Sequence, residues 1–257
     1  MCLIAVAWQA HPRFELVVAA NRDEFHARPT VPAAPAPDDP RAFGGRDALH
    51  GGGWLQVHAS GRLAAVTNVR AGPVAEVAPR TRGALVHAFV RDPGAAWATL
   101  GAHGHEFGRF NLLAWDGAAL HYASNHPASR REPVAPGVHG LSNADLDAPW
   151  PKVLAAQSAL SSWLADPAST RAQPGVEPLF AALADVRVAP ESRLPDTGVG
   201  RELERMLSAP FILGDVYGTR CSTVVLVEAT RIHFHERRFG AGGKYAGHVH
   251  RLLERAP

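Results

Sequence analysis

Met1-Cys2-Leu3-Ile4-Ala5-Val6-Ala7-Trp8 opens the chain, and Phe14-Glu15-Leu16-Val17-Val18-Ala19-Ala20 follows it across a short His11-Pro12-Arg13 turn. Each run reads as a strand, Leu3 to Trp8 and Phe14 to Ala20. A strand covered on one face alternates apolar and polar residues, whereas a nearly continuous apolar run implies a sheet covered on both faces. The second run passes directly into Asn21-Arg22-Asp23-Glu24. Polar side chains at the end of a buried strand are a common place for a site.

Cys2 gives this stretch a second meaning. Methionine aminopeptidases accept a small side chain after Met1, so processing makes Cys2 the first residue. The product carries a thiol of pKa about 8.5 and an α-amine of about 7.7–8.0 on adjacent atoms. The amine accepts the thiol proton near neutral pH, and the thiolate attacks a carbonyl to form an acyl-enzyme. The developing oxyanion needs Asn side chains or backbone amides as donors. The competing meaning is structural, because free cysteine is among the most buried residue types and Cys2 also fits as a small apolar side chain of strand one. The residues alone leave both open.

Composition bounds the rest. A chain of 257 residues that is 46 % hydrophobic can build a large core, and residues 1–257 are read as a single domain. The formal charge of +2 comes with no basic block or stripe, so no nucleic-acid partner is expected. Cys2 and Cys221 make no disulfide framework and no metal-type Cys-x-x-Cys pair. The apolar start lacks a basic leader and stops at Gln9-Ala10-His11-Pro12, too soon for a signal peptide or membrane span. The expected location is a reducing cytoplasm.

Further along, residues 28–53 read as a long proline- and glycine-rich loop. Hairpins are expected over Trp54–Ala59 with Leu63–Asn68, and over Phe110–Trp115 with Ala118–Tyr122. Helices are expected near Arg80–Val90, Ala95–Gly101, Pro149–Leu164, Glu177–Leu183 and Gly200–Leu207. Val138–Leu141 reads as a short strand, and Cys221–Glu228 with Ile232–Arg237 as a final hairpin. The tail His248–Leu253 reads as weakly helical. This order suits an α+β fold with two stacked antiparallel sheets covered by helices, although other α+β folds share the pattern.

Several of these segments together resemble the NRDE, or transport and Golgi organization 2, family. They are Met1-Cys2, Asn21-Arg22-Asp23-Glu24, Gly53-Trp54, Thr67-Asn68, Phe110-Asn111-Leu112-Leu113, Gly140-Leu141-Ser142-Asn143, Pro149-Trp150-Pro151-Lys152 and Tyr217-Gly218-Thr219-Arg220. The resemblance implies the four-layer αββα sandwich of N-terminal-nucleophile hydrolases. Eukaryotic members are linked to haem movement, to lipid or acyl-CoA metabolism, and to Golgi or mitochondrial organisation. A more distant resemblance to penicillin V acylases and bile-salt hydrolases implies Cys2 as nucleophile, Asp23 beside it, and Asn68 and Asn143 as further catalytic residues. In those enzymes an arginine stands three residues before the Asp, where this chain has Ala20, with Arg22 adjacent to Asp23 instead. Arg220 is the nearest candidate for a late arginine.

The expected catalytic set is therefore Cys2, Asp23, Asn68 and Asn143, with Asn21, Arg22, Trp54 and Arg220 as substrate contacts. Each has a structural alternative. Asp23 also suits pairing with Arg22 or Arg28, and Asn143 suits capping the approach to the helix at Pro149. The glycines at 44–53 match no Walker or dinucleotide motif, and their expected task is close backbone approach beneath Trp54. His103 with His105, and His233 with His235, are two-histidine pairs for which metal or haem ligation is conceivable, but without a third ligand they read as solvated residues. Two functions follow. One is a hydrolase of a small amide or thioester that needs no cofactor. The other is a non-catalytic protein that binds and moves haem or acyl-CoA.

Overall fold

The computed structural model describes residues 2–72, 77–171 and 174–255. Met1, whose removal the nucleophile reading requires, lies outside them. Among the described residues, 2–27, 71–72, 136–171 and 174–253 form one compact unit, and 28–70, 77–135 and 254–255 form another. Each unit contains one antiparallel sheet with helices against it, so the fold is α+β with two antiparallel sheets.

In the first unit the strands are β1 (Cys2–Trp8) and β2 (Leu16–Phe25). The second unit contributes β3 (Thr30–Pro35), β4 (Ala42–Asp47), β5 (Gly53–His58), β6 (Leu63–Asn68), β7 (Phe110–Trp115), β8 (Leu120–Ser124) and β9 (Arg130–Pro133). The chain then returns to the first unit with β10 (Gly137–Leu141), β11 (Tyr217–Val227), β12 (Arg231–Phe239) and β13 (Tyr245–Glu254). The first sheet runs β10-β1-β2-β11-β12-β13, and the second runs β3 to β9 in chain order. β1 and β2 are buried on both faces from Leu3 to Trp8 and from Leu16 to Asp23, which is why their sequences do not alternate.

Helices α1 (Gly83–Arg91) and α2 (Pro93–His103) belong to the second unit. Leu85, Val86, Phe89 and Val90 give α1 an apolar stripe that packs with Ala64, Leu112 and Ala114 of the sheet. Asp92 starts α2 by accepting the Ala95 N–H at 3.0 Å, with Pro93 in the first turn. Helices α3 (Pro151–Ala165), α4 (Glu177–Leu183) and α5 (Arg201–Met206) belong to the first unit. Leu160 and Trp163 of α3 and Leu179, Phe180 and Leu183 of α4 pack on Ala5, Val17, Ala19, Val224 and Leu226.

Two sequence expectations are corrected. Residues 28–53 are not a continuous loop, because they carry β3 and β4. Pro32 and Pro35, two of the prolines that suggested a loop, fall in β3, an edge strand, where an absent N–H costs no ladder bond, and the register jumps between Val31 and Ala34, past Pro32. Gly44, Gly45, Gly52 and Gly53 fall where neighbours leave no room. A Cβ on Gly45 would lie 2.0 Å from Trp54 Cη2, so the expected close approach beneath Trp54 is present. The tail is a strand, β13, and not a helix. Gly242 and Gly243, at φ 63° and 73°, turn the chain back so that β13 pairs with β12.

Candidate active site

The site expected around Cys2 lies within the first unit. β2 receives β1 on one side and β11 on the other, so Cys2 and Cys221 both stand opposite Arg22. The two cysteines are thus separated by a whole strand, about 9.6 Å at the usual spacing, beyond disulfide reach. Both are free. The register of β11 slips between Thr219 and Cys221, which leaves Arg220 as the extra residue of a bulge.

Side chains alternate across β2, so Arg22 shares a face with Cys2 while Asn21 and Asp23 point to the face that carries the helices. Burial pushes the Cys2 thiol pKa up, and the Asp23 carboxylate adds to that effect. The Arg22 guanidinium and the Asp23 backbone N–H favour the thiolate and oppose it. Arg22 is almost fully buried, with Glu24 3.7 Å from its guanidinium.

Asp23 is 2 % exposed. Its Oδ1 accepts from Thr219 Oγ1 at 2.7 Å, and that hydroxyl in turn accepts the Ile212 N–H at 2.9 Å. Burial raises the Asp23 pKa despite Lys152, Thr219 and Arg22, each of which favours the carboxylate. Lys152, from the first turn of α3, is also buried and donates to Leu207 O at 2.9 Å. Burial, reinforced by Asp23, Cys2 and Glu24, raises the Tyr217 hydroxyl well above its usual value.

Asn143 is fully buried just beyond β10, the strand that pairs with β1 on its other side. Ser142 Oγ lies 2.8 Å from Cys2 O and 3.1 Å from Asn143 Oδ1, so its single proton is shared between an acceptor on each residue. The first unit thus brings Cys2, Arg22, Asp23 and Asn143 to neighbouring strand ends. It also adds Thr219, Lys152 and Tyr217, which sequence reasoning did not assign to the site. Their signal was present, since each falls in a segment that carried the family resemblance.

The remaining expected residues are placed differently. Asn21 Nδ2 donates to Leu183 O and Pro210 O at 2.8 and 2.9 Å, and its Oδ1 accepts from Ser222 Oγ at 2.6 Å. Its side chain therefore ties β2 to the end of α4 and to the segment before β11. Arg220 Nη1 donates to Phe25 O at 2.8 Å and to His26 O, holding the end of β2. Asn68 ends β6 and Trp54 lies in β5, both in the second unit.

The arrangement is that of an α+β protein with a cysteine one residue from its start, set in a sheet beside a buried carboxylate, a buried arginine and a buried asparagine. The chain belongs to the Transport and Golgi organisation 2 family, whose sequence pattern matches residues 1–241. It is 35 % identical over 262 residues to the Bos taurus transport and Golgi organization protein 2 homolog, covering 92 % of each chain. The Homo sapiens homolog is 32 % identical over 260 residues, again covering 92 % of each. Among solved structures, the Caenorhabditis elegans ortholog of N-acylethanolamine-hydrolyzing acid amidase aligns over 88 % of this chain and 92 % of its own, with a TM-score of 0.48 and 11 % identity. No helix among the described residues is long and apolar enough to cross a membrane.

Proposed function

We propose that this chain is an N-terminal cysteine hydrolase acting on a small amide or thioester in a reducing compartment. Removal of Met1 frees the Cys2 amine, which takes the thiol proton. The thiolate adds to the substrate carbonyl carbon, with Asn143 as a donor to the oxyanion. Collapse of that adduct breaks the carbonyl–nitrogen or carbonyl–sulfur bond, and the amine passes the proton to the departing group. Water then attacks the Cys2 thioester, giving up its proton through the same amine, and the acid leaves. Asp23 orients the amine, and Arg22 offsets negative charge on the sulfur and on an anionic substrate. The supporting observation is the position of Cys2 opposite Arg22, next to the Asp23 N–H and bridged by Ser142 to Asn143.

The test is intact-mass measurement on processed protein incubated with a panel of acyl amides and acyl-CoAs. A mass gain equal to the acyl group, absent in Cys2→Ala, is the expected result. A folded, processed chain with neither adduct nor turnover across the panel overturns the proposal. One observation favours a second reading. Burial raises the Cys2 thiol pKa and so works against the thiolate, which suits a protein that binds acyl-CoA or haem without chemistry. Saturable binding of either ligand without any Cys2 adduct selects it.

A further inference from the structure

His233 and His235 stand two residues apart on β12 and therefore share a face of that strand. The sequence supplies no third ligand near them, but the fold does. β13 turns back beside β12 at the edge of the sheet and sets the His250 ring against His235, with centroids 4.2 Å apart and planes 6° from parallel. One ring nitrogen from each of His233, His235 and His250 lies within 4.8 Å of the other two.

We propose that His233, His235 and His250 form a binding site for one borderline divalent cation of the Zn(II) class, which bridges the last two strands of the sheet. The donor set decides the class of ion. Imidazole nitrogens suit Zn(II), Cu(II) and Ni(II), whereas Ca(II) and Mg(II) need oxygen ligands and Cu(I) favours sulfur. Nitrogens bound to one tetrahedral ion at about 2.0–2.1 Å stand about 3.4 Å apart. The site must therefore contract by at most about 1.4 Å, a shift within reach of imidazole rotation because His250 is exposed and the other two rings are partly so.

One further feature supports the site. Metal-bound histidines are usually held through their second nitrogen by a carboxylate, which orients the ring and raises its basicity. Glu228 Oε1 lies 3.0 Å from His233 Nε2, and Arg13 holds the same oxygen at 2.8 Å. Arg237, the next residue but one after His235 along β12, is engaged by Glu177 and lies 4.0 Å over the Phe180 ring.

The cluster opens on a cavity of about 630 Å³ whose wall includes His235, His248, His250, Tyr245, Glu177 and Phe180. A fourth ligand position is thereby available to water or to His248. That residue follows the same side of β13 as His250, and its Nδ1 lies 3.2 Å from Tyr245 Oη.

The experiment is calorimetric titration of tag-free, chelator-treated full-length protein with ZnCl2, together with hydrogen exchange of residues 245–254. One ion per chain is expected, with protection of β13 amides on binding. His250→Gln, an exposed change that leaves the core intact, should weaken binding at least tenfold, and Glu228→Gln by about tenfold. A His103→Gln/His105→Gln variant should bind as the parent does. Absence of saturable binding overturns the site. So does unchanged stoichiometry and affinity in a His235→Gln/His250→Gln variant whose circular dichroism matches the parent, which would assign the ion to scattered surface histidines.

Discussion

Replacing Asn21 with alanine separates a structural from a substrate-binding role for the first residue of the 21–24 motif. The side chain is 1 % exposed and makes three hydrogen bonds, to Leu183 O, Pro210 O and Ser222 Oγ. Asn21→Ala leaves two buried carbonyls and one hydroxyl without this partner. An unmade buried hydrogen bond costs about 1–3 kcal/mol. The hydroxyl can rotate and the carbonyls keep their second lone pairs, so the lower half of that range applies, giving about 3–6 kcal/mol in all. For a chain of this size that is a fall in Tm of about 6–24 °C. Urea unfolding followed by circular dichroism gives the free energy directly, and the slope of the transition should not change. Asn21→Asp should be at least as costly at neutral pH, because it sets a carboxylate against the same two carbonyl oxygens. A loss below about 1 kcal/mol in Asn21→Ala, with impaired ligand binding or turnover instead, would refute the structural assignment.

Arg22 offsets charge on the Cys2 sulfur, so Arg22→Gln should move the pH midpoint of Cys2 alkylation by iodoacetamide upward; a downward move or none contradicts that role. Asp23 has a raised pKa in the folded chain, so its carboxyl contributes stability that is fully present below the unfolded value near 3.8 and is lost as pH rises through the higher folded value. Asp23→Asn should therefore gain stability relative to the parent between pH 4 and pH 7, measured by urea unfolding at each pH, and a relative loss would reverse the sign of the argument. Gly45→Ala drives a methyl group to within 2.0 Å of the Trp54 ring and should cost the second unit about 1–3 kcal/mol, read as a lowered Tm; an unchanged Tm would mean the indole has room to move.

Much of the strand and helix content was legible because it is written in local pattern. The continuous apolar runs of β1 and β2 are buried throughout, and Pro151 stands at the start of α3 as its sequence suggests. Cys2, Asp23 and Asn143 were legible as candidates because each is a chemically special residue at a strand end. Lys152, Thr219 and Tyr217 were not assigned, although they fall in segments that carried the family resemblance, since the residue type of a lysine, a threonine or a tyrosine does not by itself mark a site. β3 was hidden by prolines that an edge strand tolerates, and β4 by glycines that a close-packed neighbour requires.

The order of residues by itself determined the periodicities, the cysteine beside the initiator methionine, and the family to which the chain belongs. Tertiary structure alone decided that both ends of the chain meet in one sheet, with β11 beside β2 across nearly two hundred residues. It also turned Asn21 from a candidate ligand contact into a three-bond tie, and carried His250 to His235. The reason is physical. Strand and helix formation follow from side chains a few positions apart, whereas which strands pair, and which polar groups then lose water together, depends on the burial of the whole sheet.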